Sequence, residues 1–204
     1  MSKGEETKQL LLEYAKAEFL EKGFSEASVR AIAKTAGLTT GAVFRYFPDK
    51  EHIFSALVAP VADAMLSMYR QGNKQGLDYL DAGHPQDMWG ISDEIVAATI
   101  DYIFANKDVF ALLINCSAGS VYENFVDELI AEEEHQSMAY LEAMKKRGFS
   151  CADISEQDLH VLLSAQYYAF FEIVRHNTPK DEAIKRIGLI VDFFRPGWEK
   201  IYGG

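Results

Sequence analysis

Apolar residues recur at intervals of three and four positions along nearly the whole chain, and glycine or proline interrupts this pattern at a few points. The interval matches the 3.6-residue period of an amphipathic α-helix, and the alternation typical of β-strands is missing. The pattern therefore predicts an all-α fold with nine or ten helices. The predicted helices cover residues 5–22, 29–35, 39–47, 50–69, 92–105, 107–118, 122–147, 155–176 and 180–202.

The breaks between the first helices carry suitable capping residues. Gly23 is expected to stop the first helix, because glycine readily adopts the left-handed conformation of helix C-termini. Ser28 and Thr39 are suitable N-caps for the second and third helices, and Gly37 is expected to end the second. Residues 71–90 contain four glycines and Pro85, so this stretch is predicted to be a loop with at most one short helix at residues 75–80.

Residues 28–50 have the composition of a helix-turn-helix, in which two short helices cross steeply around a tight turn. Ala33 is small enough for the helices to approach each other, and Gly37 permits a positive φ angle in the turn. A small apolar core is expected from Ile32, Leu38 and Val43. The residues predicted to face a DNA major groove are Thr39, Thr40, Gly41, Phe44 and Arg45.

The net charge of −11 is unevenly distributed along the chain. Residues 1–50 contain eight Lys or Arg and seven Asp or Glu, whereas residues 51–204 contain twelve and twenty-four. The acidity therefore belongs to the second part of the chain, and the first part can still present a local basic face to nucleic acid.

Composition narrows the class of protein further. Apolar residues make up 49% of the 204 residues, which is typical of a globular protein. The two cysteines exclude a disulfide framework. Charges interrupt every apolar run before the roughly 18 residues of a membrane span, and the N-terminus has no signal-peptide pattern. These features predict a cytoplasmic protein without a membrane partner.

Four short runs carry a more specific resemblance: GF at residues 23–24, SVRAIA at 28–33, AGL at 36–38 and VFRYFPDKE at 43–51. Together they resemble the N-terminal signature of the TetR family of transcriptional regulators over residues 7–55. The resemblance implies a helix-turn-helix DNA-binding domain at residues 1–50 and a helical ligand-binding and dimerisation domain at 51–204. It also implies that double-stranded DNA is contacted by Ser28, Arg30, Thr39, Thr40, Gly41, Phe44, Arg45, Tyr46 and Lys50.

The resemblance further implies a homodimer formed by the last two helices. The final helix has a stripe of apolar residues spaced three and four apart, from which we take the predicted interface residues Ile187, Val191, Phe194 and Trp198. The phase of the stripe does not distinguish a face that packs within the subunit from one that packs against a partner. A two-fold dimer would read a palindromic operator with half-sites about one helical turn apart.

Members of the family usually enclose a small-molecule site in their middle helices, so the resemblance implies an inducer of unknown identity. The candidate ligand residues are Trp89, Tyr102, Phe110, Cys116, Tyr167 and Phe170. Aromatic residues at helical spacing are also typical of an ordinary core. Glu172 lies among apolar neighbours and would suit a cationic ligand, although a surface position is favoured.

An enzyme is a weaker interpretation of this sequence than a DNA-binding regulator. Residues 132–135 read EEEH and contain one Glu-x-x-His pattern, which di-iron bundles use twice. Since no second copy occurs, we interpret this segment as a solvated acidic face. No catalytic, metal-binding or phosphate-binding motif is recognised, so neither a catalytic residue nor a cofactor is predicted.

The sequence thus predicts a DNA-binding transcriptional regulator, in the form of a repressor released from a palindromic operator by a small-molecule inducer. An activator is an open alternative, because the sign of regulation depends on where the operator lies. A further alternative is a helical ligand-binding or interaction module whose headpiece no longer binds DNA specifically.

Overall fold

The computed structural model describes residues 3–203, except the side chains of Ile91 and Ser92. Within this part of the chain all regular structure is helical, which confirms the predicted all-α fold. One turn of 3-10 helix spans Pro85–Asp87. The α-helices are α1 (Lys3–Glu26), α2 (Val29–Thr35), α3 (Thr40–Phe44), α4 (Lys50–Asp81), α5 (Met88–Ala105), α6 (Lys107–Asn115), α7 (Phe125–Lys146), α8 (Glu156–Arg175) and α9 (Lys180–Ile201).

The chain forms two compact units. The first, which we call the headpiece unit, comprises residues 1–63 and 106–125. The second, the body unit, comprises residues 64–105 and 126–204. The headpiece unit therefore combines the N-terminal helices with α6, which comes from the middle of the chain.

The headpiece unit is built around apolar residues one turn apart on α1. Leu11, Ala15 and Phe19 are fully buried, as their spacing of four requires for one helix face. The rings of Phe24 and Phe54 pack with that of Phe19, with Phe54 edge-on at 5.0 Å from Phe19 and 5.2 Å from Phe24. Such edge-to-face pairs stabilise a core beyond their buried area.

Gly23 breaks α1 as predicted. Its φ of 72° lies in the left-handed region and interrupts the helix before residues 24–26. The break turns Phe24 so that its N–H donates to the carbonyl oxygen of Cys116 at 2.7 Å. Ser25 donates its hydroxyl to the carbonyl of Ala118 at 2.6 Å. These bonds join the end of α1 to the end of α6 inside the headpiece unit.

The predicted loop at residues 71–90 is wrong. α4 continues to Asp81, and the 3-10 turn and the start of α5 occupy most of the rest. Gly72 and Gly76 lie one turn apart on a buried face of α4. Each glycine disfavours a helix by about 1 kcal/mol relative to alanine. Packing of neighbouring positions such as Met65 and Leu80, both buried, compensates for this cost.

The two glycines differ in the space around them, and this difference gives a test. A Cβ on Gly76 would lie 3.6 Å from the Tyr140 ring, an ordinary contact, whereas one on Gly72 would collide with Ile95. Gly76→Ala is therefore expected to raise the free energy of unfolding by about 0.5–1 kcal/mol. Chemical denaturation measures this change, with Gly72→Ala as the control that gains no stability. Equal stabilisation by both variants would contradict the packing described for Ile95.

α4 also contains the one segment, within the described residues, that is long and apolar enough to cross a membrane by composition alone. This departs from the expectation that charges interrupt every such run. Ile53, Phe54, Val58 and Met65 of this helix are fully buried in the protein. Burial in the core thus accounts for part of the apolar composition of α4, since a third of its apolar window is buried.

Candidate functional site

The helix-turn-helix forms at the predicted residues. α2 and α3 are joined by a turn in which Gly37 has a φ of 68° and Leu38 donates its N–H to the carbonyl of Ala33 at 2.8 Å. Ile32, Ala33 and Val43 are buried between the helices. Contacts between residues close in the chain therefore account for the position of α3 on the surface of the headpiece unit.

The N-terminal caps of the two helices differ. The Thr39 hydroxyl accepts the N–H of Ala42 at 3.2 Å, so Thr39 caps α3 as predicted. Ser28 occupies the N-cap position of α2, but its side chain makes no capping hydrogen bond. Instead the N–H of Ser28 donates to the Glu18 carboxylate at 3.2 Å. The Ser28 hydroxyl is therefore not used to cap its own helix.

Most residues predicted to contact DNA lie on the exposed surface around α3. Thr40 and Tyr46 are half-buried. The exposed residues of the set are Ser28, Arg30, Thr39, Gly41, Phe44 and Arg45. The ring of Phe44 is exposed although it is large and apolar, which suits contact with a thymine methyl group or a sugar.

Three exposed cations surround this face: Arg30 and Lys34 on α2, and Arg45 at the end of α3. Among the described residues none of the three forms an ion pair within the protein. Their charges are therefore available to phosphate groups, although the chain as a whole is acidic.

Lys50 is placed differently from the prediction, which put its ammonium group on a DNA phosphate. Its Nζ donates to the carbonyl oxygens of Phe24, Ser25 and Ala27 at 2.5, 3.0 and 3.2 Å. It also lies 4.4 Å from the centroid of the Phe24 ring. An ammonium group has three N–H donors, and all three are matched by carbonyls at the end of α1 and the start of the α1–α2 connection.

The body unit contains a cavity of about 210 Å³ lined by α4, α5, α7, α8 and α9. This volume far exceeds the roughly 10–15 Å³ that one water molecule needs. Gly72 and Gly76 are part of its wall. Because these residues have no side chains, Ile95 and the Tyr140 ring approach the backbone of α4 closely at the place where the sequence suggested a loop.

Half of the predicted ligand residues line this cavity. Trp89, Tyr167 and Phe170 do so, together with the other tryptophan of the chain, Trp198. Tyr102 is half-buried but does not line the cavity. Phe110 and Cys116 belong to the headpiece unit, where both are buried in its core. Helical spacing identified buried aromatic residues, but it did not show which of them border open space.

Among the described residues that line the cavity, Glu133 is the one with an acidic side chain. Its carboxylate accepts hydrogen bonds from the side chains of Tyr167, Asn73 and Ser137. Burial raises the pKa of Glu133 to about 6, in spite of these bonds. Burial likewise raises the pKa values of the Tyr69 and Tyr167 hydroxyls, so both stay neutral at physiological pH.

Sequence reasoning missed Glu133, because residues 132–135 were interpreted as a solvated acidic face. Its neighbours are not fully solvated either: both are half-buried, Glu132 accepts two hydrogen bonds of 2.9 Å from Arg70, and Glu134 lies 2.8 Å from His160. A usable signal was present in the helix phase. Position 133 is one turn after Leu129 and one turn before Ser137, both of which are buried, so it points to the same side of α7.

Two buried hydroxyl groups on the cavity wall have no hydrogen-bond partner, those of Thr99 and Tyr140. Buried polar groups are normally satisfied, so both are available to a bound molecule. Glu172, considered above for a cationic ligand, instead contacts Arg175 and His176 at the surface at 2.6 and 3.0 Å.

The stripe predicted to form the dimer interface faces the body unit itself. Ile187 is buried in a cluster with Ile100, Ile173 and Ala183, and Val191 packs against that cluster. Trp198 lines the cavity and donates its indole N–H to Gln166. Phe194 is half-buried and contacts the ring of Phe193.

The outward face of α8 and α9 carries other apolar residues. Leu189 and Phe193 on α9 are 71% and 78% exposed, and Val161 on α8 is 64% exposed. Leu162 and Tyr168 on α8 are also partly uncovered. Side chains of this kind seldom remain in water when they are grouped on one pair of helices. We name residues 161, 162, 189 and 193 the outer α8–α9 face.

In the comparison with known proteins, the matching family model covers part of the headpiece unit. The family described as "Bacterial regulatory proteins, tetR family" matches residues 11–57. The HTH-type transcriptional repressor AcnR of Corynebacterium diphtheriae is 41% identical over 58 residues, which are 28% of this chain and 30% of AcnR. The HTH-type transcriptional repressor KstR2 of Rhodococcus jostii is 25% identical over 131 residues, 64% of this chain and 55% of KstR2.

Among solved structures, a TetR-family transcriptional regulator from Syntrophomonas wolfei resembles the chain with a TM-score of 0.61 at 20% identity, over 95% of both chains. This likeness concerns the fold. The matched segments span about a third of AcnR and about half of KstR2. The family match at residues 11–57 includes the helix-turn-helix, whereas the segment matched by KstR2 covers 64% of the chain and so extends beyond it.

Proposed function

We propose that the chain is a dimeric transcriptional repressor of the TetR family of bacterial regulatory proteins, whose family model matches its helix-turn-helix. In this proposal the dimer binds a palindromic DNA operator in the cytoplasm. A small molecule in the cavity of the body unit lowers the affinity for that operator. Both AcnR and KstR2 carry the name of a repressor, which favours repression over activation.

The observation that carries the proposal is the surface around α3. A capped helix with short polar residues at its start enters a major groove readily, because nothing bulky keeps its backbone from the bases. Thr39, Thr40 and Gly41 stand at that start. Arg30 and Arg45 flank it with charges that no ion pair neutralises, as phosphate contacts require.

The proposed roles follow from this placement. Thr39, Thr40, Gly41 and Phe44 contact base edges, whereas Ser28, Arg30, Arg45 and Tyr46 contact the sugar-phosphate backbone. The Lys50 side chain is already occupied by three carbonyl oxygens. We therefore assign it to the internal structure of the headpiece unit instead of to DNA.

The partner in the dimer is proposed to be a second copy of the chain, joined through the outer α8–α9 face. A two-fold interface brings the same patch of each subunit together, so one set of exposed apolar residues suffices. Two headpiece units then read two half-sites about 34–36 Å apart. The proposed interface therefore does not use the inward stripe of Ile187, Val191 and Trp198. On α9 it uses Leu189 and Phe193 instead, which lie two positions from residues of that stripe.

The inducer site is proposed to be the cavity of the body unit. It is lined by five helices and combines apolar walls with a few polar groups, which is the usual form of a small-molecule site. A ligand that binds one conformation of the dimer better than another shifts the population between them. We propose that the conformation favoured by the ligand is the one whose headpiece spacing does not match the operator.

Selection of bound sequences from a pool of random duplex DNA at physiological salt tests the proposed function. We expect enrichment of a palindrome with half-sites about one helical turn apart. Enrichment of a single half-site would contradict the dimer, and a folded protein that enriches nothing would contradict specific DNA binding. The selected palindrome then serves as the probe for the variants below.

Arg30→Ala combined with Arg45→Ala is expected to weaken binding to the selected palindrome by roughly 10- to 100-fold, because two phosphate contacts per subunit are lost. The slope of log affinity against log salt should fall by about 0.9 for each contact. Fluorescence anisotropy of labelled DNA measures both. Lys74→Ala combined with Lys200→Ala removes two exposed charges from the body unit and is the matched control. Equal losses in both double variants would show only an effect of overall charge.

A further inference from the structure

The ionisable groups around the cavity are unbalanced. Its wall contains Glu133 and several tyrosines, but among the described lining residues there is no lysine, arginine or histidine. An acidic group in such a place ordinarily has a cationic partner, because an isolated buried charge is costly. Glu133 has only neutral hydrogen-bond donors, namely Tyr167, Asn73 and Ser137.

Two arginines beside cavity-lining residues are engaged by other carboxylates. Arg70 forms its paired hydrogen bonds with Glu132, on the neighbouring position of α7. Arg195 stacks over the Trp89 ring at 5.9 Å, but its guanidinium is hydrogen-bonded to Asp93 and does not line the cavity. The negative charge of Glu133 is therefore the unbalanced one.

The rest of the wall suits a positive charge as well. Aromatic faces attract cations through the electron-rich centre of the ring. The cavity is bordered by rings from all five of its helices and from the residue after α9. They are those of Tyr69, Trp89, Tyr140, Tyr167, Phe170, Trp198 and Tyr202.

We propose that the cavity binds an organic cation, an amine or quaternary ammonium with an apolar or aromatic body, whose positive charge pairs with the Glu133 carboxylate. This inference rests on the proposed inducer site and names the class of its ligand. The apolar body packs against the aromatic wall. The unpartnered hydroxyls of Thr99 and Tyr140 provide polar contacts for any hydroxyl or N–H group on that body, and so contribute to selectivity.

The charge state of the wall supports this assignment. With the pKa of Glu133 raised to about 6, roughly nine-tenths of its carboxyl groups are ionised at pH 7. The other ionisable groups that face Glu133 do not change their protonation state near pH 6 to 7. Tyr69 of α4, Tyr167 of α8 and Tyr202 beyond α9 are neutral, because burial raises their pKa values. Glu132 stays ionised, because Arg70 lowers its pKa.

Three probes of similar shape and different charge test the proposal on the DNA-free protein. They are benzyltrimethylammonium, its uncharged carbon isostere neopentylbenzene, and benzenesulfonate as the anion. Both tryptophans of the chain line the cavity, so intrinsic fluorescence reports binding there, and calorimetry gives the affinity. We expect the cation to bind at least about 10-fold more tightly than the isostere and the anion not to bind.

Glu133→Gln is expected to weaken binding of the cation by roughly 10- to 100-fold and to leave the isostere within about 3-fold. Binding of the isostere also shows that the variant is folded. Glu132→Gln is the matched control, because it removes the neighbouring charge, which faces Arg70 instead of the cavity. This control should keep its affinity for the cation.

The wild-type protein offers a second test that needs no substitution. The charge of a quaternary ammonium does not change with pH, whereas Glu133 gains a proton as the pH falls through its pKa of about 6. Affinity for the cation should therefore drop about 10-fold between pH 7.5 and pH 5. Affinity for the isostere should not change.

The outcomes separate this inference from the proposed function. The cationic class would be overturned if the isostere or the anion bound more tightly than the cation. It would also be overturned if neither Glu133→Gln nor pH changed the affinity for the cation. In either case the cavity could still be an inducer site. Binding of no probe would overturn the ligand assignment altogether. Neither result touches the selection of DNA sequences, which is measured without ligand.

Discussion

Leu189→Arg combined with Phe193→Arg is expected to convert the proposed dimer into monomers. These side chains are 71% and 78% exposed on α9, and burial of each stabilises an association by about 1.5–3 kcal/mol. Because the interface has two-fold symmetry, each substitution occurs twice in it, and the arginines of the two subunits place like charges opposite each other. The dissociation constant of the dimer should rise by at least about 100-fold. Sedimentation velocity over a range of concentrations measures this change.

The affinity for the operator should decrease when the dimer dissociates. A single headpiece unit reads one half-site, so the double variant should bind the full palindrome no better than an isolated half-site. Val121→Arg is the control, because Val121 is 67% exposed but lies in the headpiece unit, outside the outer α8–α9 face. If the double variant stayed dimeric, the subunit interface would have to be sought on another surface.

Lys50→Met is expected to destabilise the headpiece unit by about 2–3 kcal/mol, the value of hydrogen bonds to a charged group. Methionine keeps the length of the side chain and its packing on Phe24, but leaves three carbonyl oxygens without their donor. Both tryptophans are in the body unit. Hydrogen exchange of peptides from residues 11–57 is therefore the suitable measurement, and exchange in α2 and α3 should accelerate by roughly 30- to 150-fold.

The same variant separates the two roles considered for Lys50. If the ammonium group contacted a DNA phosphate, its removal would lower the salt slope of operator binding by about 0.9 per subunit. For the internal role, the slope should not change, and the headpiece should lose stability. For the exchange measurement Lys34→Met is the matched control, since Lys34 is an exposed lysine of α2 and no contact with a carbonyl restrains it in the described structure. Unchanged exchange rates with a reduced slope would restore Lys50 to the DNA surface.

Lys50 illustrates why residue type and position do not determine a role. A lysine at the start of a helix is close to the positive end of the helix dipole, which disfavours it. Its side chain reaches back to the C-terminal end of α1, where the carbonyls carry partial negative charge. The preference is electrostatic, but it depends on where α1 ends relative to α4, and that is a property of the folded headpiece.

The dimer stripe and Glu133 show the same limit in the body unit. Apolar spacing on α9 predicts a buried face, but burial inside the subunit and burial by a partner have the same period. The structure places Ile187 inside and leaves Phe193 outside. Three consecutive glutamates on α7 differ only in direction by about 100° each. Which one faces the cavity depends on the helices that surround α7.

The sequence by itself determined the all-α class, the helix-turn-helix and the break at Gly23. Those features depend on contacts between residues close in the chain: helical periodicity, caps at Thr39 and the turn at Gly37. The tertiary structure decided the extent of α4, the partner of Lys50, the direction of Glu133 and the outer face of α8 and α9. Each of these depends on packing between distant segments, as when Gly72 and Gly76 remain helical because the surrounding core holds them there.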